Sequence, residues 1–327
     1  MKLLCTYILM AALATGAIAA VAGEDSAAYP SKPIRIVVPF SAGSIVDVRA
    51  RQIGERLAKN IGHPVIIDNR PGASTIIGAN LVAKAAPDGY TILMASGATF
   101  VVTPAVVESL PFDPIKDFAP VTQYAAGPML LVVHPSLGVN SVDELVALAK
   151  AKPGELTCAL SGAGTSAGIM AELFKQVADV PIRTVVYKSE TPALSDVIAG
   201  HVPMIFSFLA TSGPFIKQGK LKALMQTGPK RLKGLPSVPT ASEVGLPDAT
   251  LTAWGGLWAP AGTPKPIVAR LSAELRKVIL SEEYRRILEE SGSEPHASTP
   301  EEFAAFIDTE RPKWARIIRK AGITAEQ

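Results

Sequence analysis

Short apolar runs alternate with amphipathic segments along most of this chain. Residues 34–40, IRIVVPF, are almost entirely apolar and have the length of a buried strand. In the next segment, apolar residues recur every three or four positions, the spacing of one helix face: Val46, Ala50, Ile53, Leu57 and Ile61. More strand-like and helix-like segments follow in turn. This alternation predicts βαβ units with a largely parallel sheet.

The pattern then starts again. Residues 128–135, PMLLVVHP, predict a strand, and the helix-like segment after them has Ser141 and Glu144 at the spacing of a capping box. Strands and helices continue to alternate, so we predict two α/β lobes. Residues 264–292 and 299–322 do not continue this alternation. They predict two amphipathic helices with scattered charged residues, which would pack against a lobe.

Composition and charge narrow the class of protein. The 327 residues are 48% hydrophobic and 19% charged, which excludes a disordered, charge-rich chain. This length fits about two domains of roughly 150 residues each. The 32 basic residues nearly balance the 29 acidic ones. No basic stripe interleaved with aromatic residues is present, so we expect no nucleic-acid partner.

The first residues predict export. Residues 1–22 contain a basic Lys2, an apolar run and the small residues Ala20 and Ala22. This is the pattern of a secretory signal peptide, with cleavage expected after Ala22 and Ala19 as the alternative site. An uncleaved membrane anchor is the competing interpretation. It is disfavoured because the run ends on small residues rather than on a basic stop-transfer cluster.

The sequence contains no recognisable catalytic apparatus. Cleavage of the signal would remove Cys5 and leave only Cys158, so the mature chain can form no intrachain disulfide. Cys158 lies in an apolar strand-like run, which is typical of a core thiol. The four histidines have no metal-ligand spacing, and no nucleophile elbow surrounds a serine. We therefore expect no enzyme, no metal site and no cofactor.

Two other functions stay open on the sequence. The stretch SGAGTS holds Ser161 and Ser166, either of which could be the nucleophile of a secreted serine hydrolase, although no histidine can be paired with them. The chain could also be a surface interaction protein that has lost ligand binding.

Loops of small and hydroxyl-bearing residues follow five of the predicted strands. In KSETPAL, Thr191 is expected to be the N-cap of a helix with Pro192 at its first position. In open α/β sheets ligands bind at the carboxyl ends of strands, and helix N-termini suit anions. GAGTSAG lacks the spacing and the lysine of a phosphate loop, which disfavours a nucleotide. The five loops are PFSAGS, MASGAT, SGAGTSAG, KSETPAL and SFLATSGPF.

Several long stretches resemble one family, the extracytoplasmic solute receptors of tripartite tricarboxylate transporters, also called Bug receptors. The resemblance covers nearly the whole mature chain. The stretches are YPSKPIRIVVPFSAGSIVDVRAR, NRPGASTIIGANLVAKAAPDGYTIL, PFDPIKDFAPVT, VHPSLGVNSVDELVALAKAKPGEL, VPTASEVGLP and GLWAPAGTPKP.

The resemblance implies a two-lobe periplasmic-binding-protein fold of the type 2 kind. Each lobe would be a mostly parallel sheet flanked by helices, with a ligand cleft between the lobes. The first lobe would comprise residues 23–125 and 253–327, and the second 126–252. The hinge would lie near 124–127 and 251–254. The protein would be a periplasmic monomer that captures a small organic carboxylate by lobe closure and delivers it to membrane permease subunits.

The resemblance also implies the ligand contacts. The carboxylate would be held by backbone groups and ordered waters of the loops. Asp47 would shape the first loop rather than bind the ligand, because an ionised Asp repels a carboxylate. The expected contacts are Phe40, Ser41, Ala42, Gly43, Ser44, Ser96 and Thr99 in the first lobe, and Gly164, Thr165, Ser166, Thr191, Ser207 and Phe208 in the second.

Two departures from the family pattern bear on the ligand. Ile45 and Val46 stand where the family has small or polar residues. The run Phe206-Ser207-Phe208 lacks the acid that many members carry there. Loss of a carboxylate and gain of apolar surface predict an apolar or aromatic mono- or dicarboxylate ligand rather than an amino acid or a hydroxy-rich acid.

Overall fold

The computed structural model describes residues 29–162 and 164–323. The predicted signal peptide, with the cleavage expected after Ala22, lies outside these residues. In the described part, none of the helices combines the length and apolar character needed to cross a bilayer.

The described residues form two β-sheets. One sheet has six strands in the order β11-β4-β10-β3-β1-β2, and we call its side of the molecule the first lobe. The other has five strands in the order β7-β6-β8-β5-β9 and belongs to the second lobe. In chain order the strands are β1 (Ile34–Val38), β2 (Val65–Asn69), β3 (Thr91–Ser96), β4 (Phe118–Pro128), β5 (Leu130–Val133), β6 (Thr157–Leu160), β7 (Arg183–Val186), β8 (Met204–Ser207), β9 (Lys222–Gln226), β10 (Thr252–Pro260) and β11 (Glu294–Pro295).

Each sheet is mixed in direction. Parallel pairing joins β1 to β2 and β3 in the first lobe, and β6 to β7 and β8 in the second. Antiparallel pairing joins β10 to β3 and β4, and β5 to β8 and β9. The prediction of two α/β lobes is confirmed, but the sheets are not mostly parallel. Strand β4 leads from the first lobe towards the second and β10 returns to the first, so these two strands run in opposite directions and pair antiparallel.

Helices cover both sheets. In chain order they are α1 (Ile45–Ile61), α2 (Ile76–Ala83), α3 (Ala98–Val101), α4 (Thr103–Val106), α5 (Val142–Ala151), α6 (Ser166–Val177), α7 (Glu190–Ile198), α8 (Leu209–Lys217), α9 (Lys265–Leu280), α10 (Glu282–Glu290) and α11 (Pro300–Lys320). A 3₁₀ turn, Ala73–Thr75, directly precedes α2.

Three helix ends differ from the sequence prediction. The predicted helix 264–292 is broken at Ser281, whose Oγ accepts a hydrogen bond from the backbone N–H of Tyr284 and caps α10. Helix α7 begins one residue before the predicted N-cap Thr191, with Ser189 in the N-cap position. At α5, the predicted capping box is only half formed, because the Glu144 carboxylate accepts from the backbone N–H one residue before the cap.

The two lobes share one buried apolar cluster. It includes Leu93 and Trp258 from the first lobe and Met129, Leu131 and Phe174 from the second. A second cluster fills the space between the first sheet and helices α1 and α9, and a third packs the second sheet against α7. The lobes therefore contact each other through apolar surface as well as through loops.

Thr227 connects the two places where the chain passes between the lobes. Its Oγ1 accepts a hydrogen bond from the backbone N–H of Met129 (2.9 Å) and donates one to the carbonyl of Leu251 (2.6 Å). Its backbone bonds to the same two residues, at 2.9 and 2.7 Å. Thr227 is fully buried. One residue thus ties the first crossing to the second.

Candidate functional site

The parallel strands of each sheet end at a common edge, where helices begin. The described residues of these loops are 39–44, 70–75 and 97 in the first lobe, and 161–162, 164–165, 187–189 and 208 in the second. Helices α1, α6, α7 and α8 start from them. The first turn of a helix offers unpaired N–H groups and a partial positive charge. Both edges therefore suit an anion.

The two edges face each other. A Cβ atom on Gly164 of the second lobe would lie 2.9 Å from Cβ of Ser74 and 3.3 Å from Oγ1 of Thr103, both in the first lobe. A Cβ atom on Gly43 would lie 3.8 Å from Oγ1 of Thr191 in the other lobe. Gly164 has no room for a side chain in this arrangement. The loops of both lobes thus line one cleft.

Asp47 fixes the first loop of the first lobe. Its carboxylate accepts hydrogen bonds from the backbone N–H of Gly43 and from Nδ2 of Asn69, both at 2.9 Å. Its own N–H donates to Ser44 Oγ, the N-cap of α1, at 3.3 Å. Burial favours the neutral acid, but hydrogen bonds from Arg51, Gly43 and Asn69 outweigh it and lower the pKa of Asp47. The ionised carboxylate is occupied within the loop.

The remaining first-loop residues lie near the surface. Phe40 and Ser41 are half-buried, whereas Ala42 and Gly43 are exposed. The carbonyl of Phe40 accepts a hydrogen bond from Nδ2 of Asn69 at 3.1 Å. Gly43 has a φ of 80°, in the left-handed region that glycine adopts without strain.

Two hydroxyls predicted to contact the ligand are hydrogen-bonded within their own loops. Ser96 Oγ accepts a hydrogen bond from the backbone N–H of Ala98 at 3.2 Å. Thr165 Oγ1 accepts from the backbone N–H of Gly168 (3.0 Å) and donates to the carbonyl of Gly162 (2.8 Å). These side chains stabilise the two loops, which positions the neighbouring residues.

Three buried hydroxyls at the two cleft edges make no hydrogen bond to any described residue: Thr75 in a loop, Thr99 in α3 and Ser166 at the start of α6. The sequence pattern had pointed to Thr99 and Ser166, which are 0% and 4% exposed, but not to Thr75. Thr75 ends a turn in which all three φ values are positive, from 44° to 80°. An unpaired buried hydroxyl costs about 1–3 kcal/mol, so these groups favour a partner in the cleft.

Glu190 is a cleft residue that sequence reasoning missed. Its Oε1 accepts hydrogen bonds from Ser207 Oγ (2.8 Å) and Thr211 Oγ1 (2.7 Å). Burial raises the pKa of Glu190, although the hydrogen bonds from Thr211, Ser207 and the Phe208 backbone oppose that shift. The absence of an acid in the run Phe206-Ser207-Phe208 is thus offset, because a carboxyl from another loop reaches the same strand end. The signal was the glutamate of KSETPAL, one residue before the threonine singled out there.

Comparison with known proteins identifies the family. The family model described as "Tripartite tricarboxylate transporter family receptor" matches residues 49–323. The chain belongs to this family. BugT of Bordetella pertussis is 34% identical over 311 residues, which cover 95% of this chain and 95% of BugT.

Solved structures of related receptors have the same fold. R. palustris Rpa4515, with adipate, is 34% identical, has a TM-score of 0.88, and the match covers 91% of this chain and 100% of that one. The periplasmic binding protein BugD is 30% identical, with a TM-score of 0.87 and the same coverage. This receptor family and its structural neighbours are periplasmic solute-binding proteins rather than enzymes.

The two apolar residues that differ from the family pattern, Ile45 and Val46, pack against the receptor's core. Val46 is 3% exposed and packs in the cluster beneath α1, and Ile45 is half-buried against the same cluster. Val46 therefore adds no apolar surface to the cleft. Phe208, half-buried at the N-cap of α8, is the one aromatic residue among the predicted contacts of the second lobe. The preference for a ligand without an amino group stays a prediction, although Val46 lies in the core and Glu190 supplies an acid at the end of β8.

The features of a hydrolase are not assembled in this receptor. Within residues 29–162 and 164–323, no histidine makes a hydrogen bond to Ser161 or Ser166. Burial raises the pKa of the Cys158 thiol to about 12, which suppresses the reactive thiolate. The same residues contain no group of three His, Cys, Asp or Glu side chains placed to hold a metal ion.

Proposed function

We propose that this receptor captures a small organic carboxylate in the cleft between its lobes and delivers it to the membrane permease of a tripartite tricarboxylate transporter. The observation that carries the proposal is the set of buried, unpaired hydroxyls of Thr75, Thr99 and Ser166 at the two edges that face each other. The helix N-termini beside them offer further donors to an anion. The adipate bound by the related R. palustris protein supports a carboxylate ligand.

Capture would proceed by lobe closure. The first lobe would comprise residues 23–125 and 253–327, and the second lobe 126–252, with the hinge at residues 124–127 and 251–254. The hydrogen-bonded pair of crossings around Thr227 supports this position for the hinge. A ligand drives closure only by binding the closed state more tightly than the open one. Donors from both lobes on one carboxylate would supply that difference.

Membership of the family supports a location and a set of partners. The protein would enter the periplasm through a signal peptide of residues 1–22, be cleaved after Ala22, and act there as a monomer. Its partners would be the ligand and the permease subunits, with no nucleic acid.

A thermal-shift screen of the mature protein, refolded to remove carried ligand, tests the proposal. The panel holds aliphatic diacids, citrate, aromatic acids and acidic amino acids. A ligand at about 100 times its Kd stabilises the fold by roughly 2.7 kcal/mol, which raises Tm by several degrees. No shift with any acid would contradict a carboxylate receptor.

Three variants locate the site. Thr99→Val and Ser166→Ala should each weaken binding about three- to tenfold, the worth of one hydrogen bond. Ser272→Ala is the matched control, because Ser272 is also a buried hydroxyl without a described partner but lies on α9, away from the cleft loops. Equal losses in the control would remove the argument for the cleft.

A further inference from the structure

The Glu190 carboxyl lies at the edge where the two lobes meet. Glu190 is the first residue of α7, and the next residue, Thr191, faces Gly43 of the first lobe. Its partner Ser207 is fully buried at the end of β8. The neighbouring helix α6 begins with Ser166, whose buried hydroxyl has no described partner. Two polar groups with different chemistry, an acid and a free hydroxyl, thus occupy the same end of the second lobe.

The immediate surroundings of Glu190 do not neutralise a negative charge on it, and burial raises the pKa of this carboxyl. Its hydrogen-bond donors are uncharged: the hydroxyls of Ser207 and Thr211, both on Oε1, and the backbone N–H of Phe208. Across residues 29–162 and 164–323, no Lys, Arg or His lies within ion-pair distance of this carboxyl. Glutamates that are largely removed from water are normally paired. A cation from outside the protein would complete the arrangement.

We propose that Glu190 binds a positively charged ammonium group of the ligand, so that this receptor selects an amino carboxylate over the corresponding plain acid. The inference rests on the proposed function and names its ligand class. The helix N-termini and free hydroxyls would take the ligand's carboxylate, and Glu190 its ammonium. A ligand with only carboxylates would place a second negative charge beside Glu190, which works against its binding.

Matched ligand pairs test this directly. The pairs differ only by an amino group: propionate and alanine, succinate and aspartate, glutarate and glutamate, adipate and 2-aminoadipate, 3-phenylpropionate and phenylalanine. Isothermal titration calorimetry on the mature protein gives Kd for each member. We expect the aminated member of at least one pair to bind at least about tenfold tighter than its plain partner.

Variants then assign the preference to one carboxyl. Glu190→Gln should reduce the ratio between the two Kd values at least about tenfold, and Glu190→Asp should keep its direction because the charge remains. Glu172→Gln is the matched control, since Glu172 is a half-buried carboxylate of the same lobe already paired with Lys175 at 2.7 Å. Circular dichroism and Tm verify that each variant is folded.

The outcomes separate the two proposals. Tighter binding of plain acids, or a ratio unchanged in Glu190→Gln, overturns the role of Glu190 but leaves a carboxylate receptor standing. Binding of no member of any pair overturns the carboxylate receptor and this inference together.

Discussion

Replacing Thr227 with valine tests how the two crossings between the lobes are held. The valine keeps the shape of the side chain but removes its hydroxyl. The backbone N–H of Met129 and the carbonyl of Leu251 would then lose their partner in a fully buried position. Each unpaired buried group costs about 1–3 kcal/mol, so we expect the free energy of unfolding to fall by about 3 kcal/mol.

The matched control is Thr227→Ser, which keeps the hydroxyl and removes one buried methyl group. Its loss should be about 1 kcal/mol. Tm should fall by about 5–10 °C in the valine variant and by a few degrees in the serine variant. Urea unfolding followed by far-UV circular dichroism and tryptophan fluorescence measures both.

The order of stability among wild type and the two variants tests the role of the Thr227 hydroxyl. We expect wild type to be most stable, then Thr227→Ser, then Thr227→Val, with similar slopes against urea. A valine variant as stable as the serine variant would refute the reasoning, because the hydroxyl would then contribute nothing beyond its methyl group.

Three further predictions concern other parts of the molecule. In Gly97→Ala the new Cβ would lie 2.3 Å from the ring of Trp254, so thermal unfolding should show a loss of about 1–3 kcal/mol; an unchanged Tm would mean that the ring moves aside. The hydrogen bond from Arg231 lowers the pKa of Glu243 to about 2, below roughly 4.3 in the unfolded chain. The advantage of wild type over Glu243→Gln should therefore be complete above about pH 4.3 and vanish as pH falls towards about 2, and a constant difference in urea titrations across this range would contradict it. Iodoacetamide should label native Cys158 over about a hundredfold more slowly than the unfolded chain, because its pKa is about 12; equal rates would show that the thiol is accessible.

Local chemistry in the sequence was enough to predict the lobes and most of the cleft loops. The apolar run of β1 and the helix-spaced residues of α1 follow from burial on one face, which is a property of neighbouring residues. The small residues at strand ends followed from the same logic, since parallel strands end at one edge. The break at Ser281 was missed because the helical periodicity continues across it.

The ligand-facing chemistry of the cleft could not be predicted in the same way. The run Phe206-Ser207-Phe208 indicated a site without an acid, and Ile45 and Val46 indicated apolar surface. The fold brings Glu190 against Ser207 from another loop and turns Val46 into the core. Which side chain reaches a strand end depends on the paths of two loops, and no spacing within either loop encodes that.

The sequence by itself determined the alternation of strands and helices, the membership of a receptor family and the loops that could meet a ligand. The alternation and the loops follow from contacts between residues a few positions apart, and the family from the resemblance of long stretches. Only the tertiary structure decided the mixed direction of the sheets, the approach of Gly164 to Ser74, the Thr227 link and the carboxyl in the cleft. Each of these joins segments distant in the chain, and their contacts arise from packing the two lobes together.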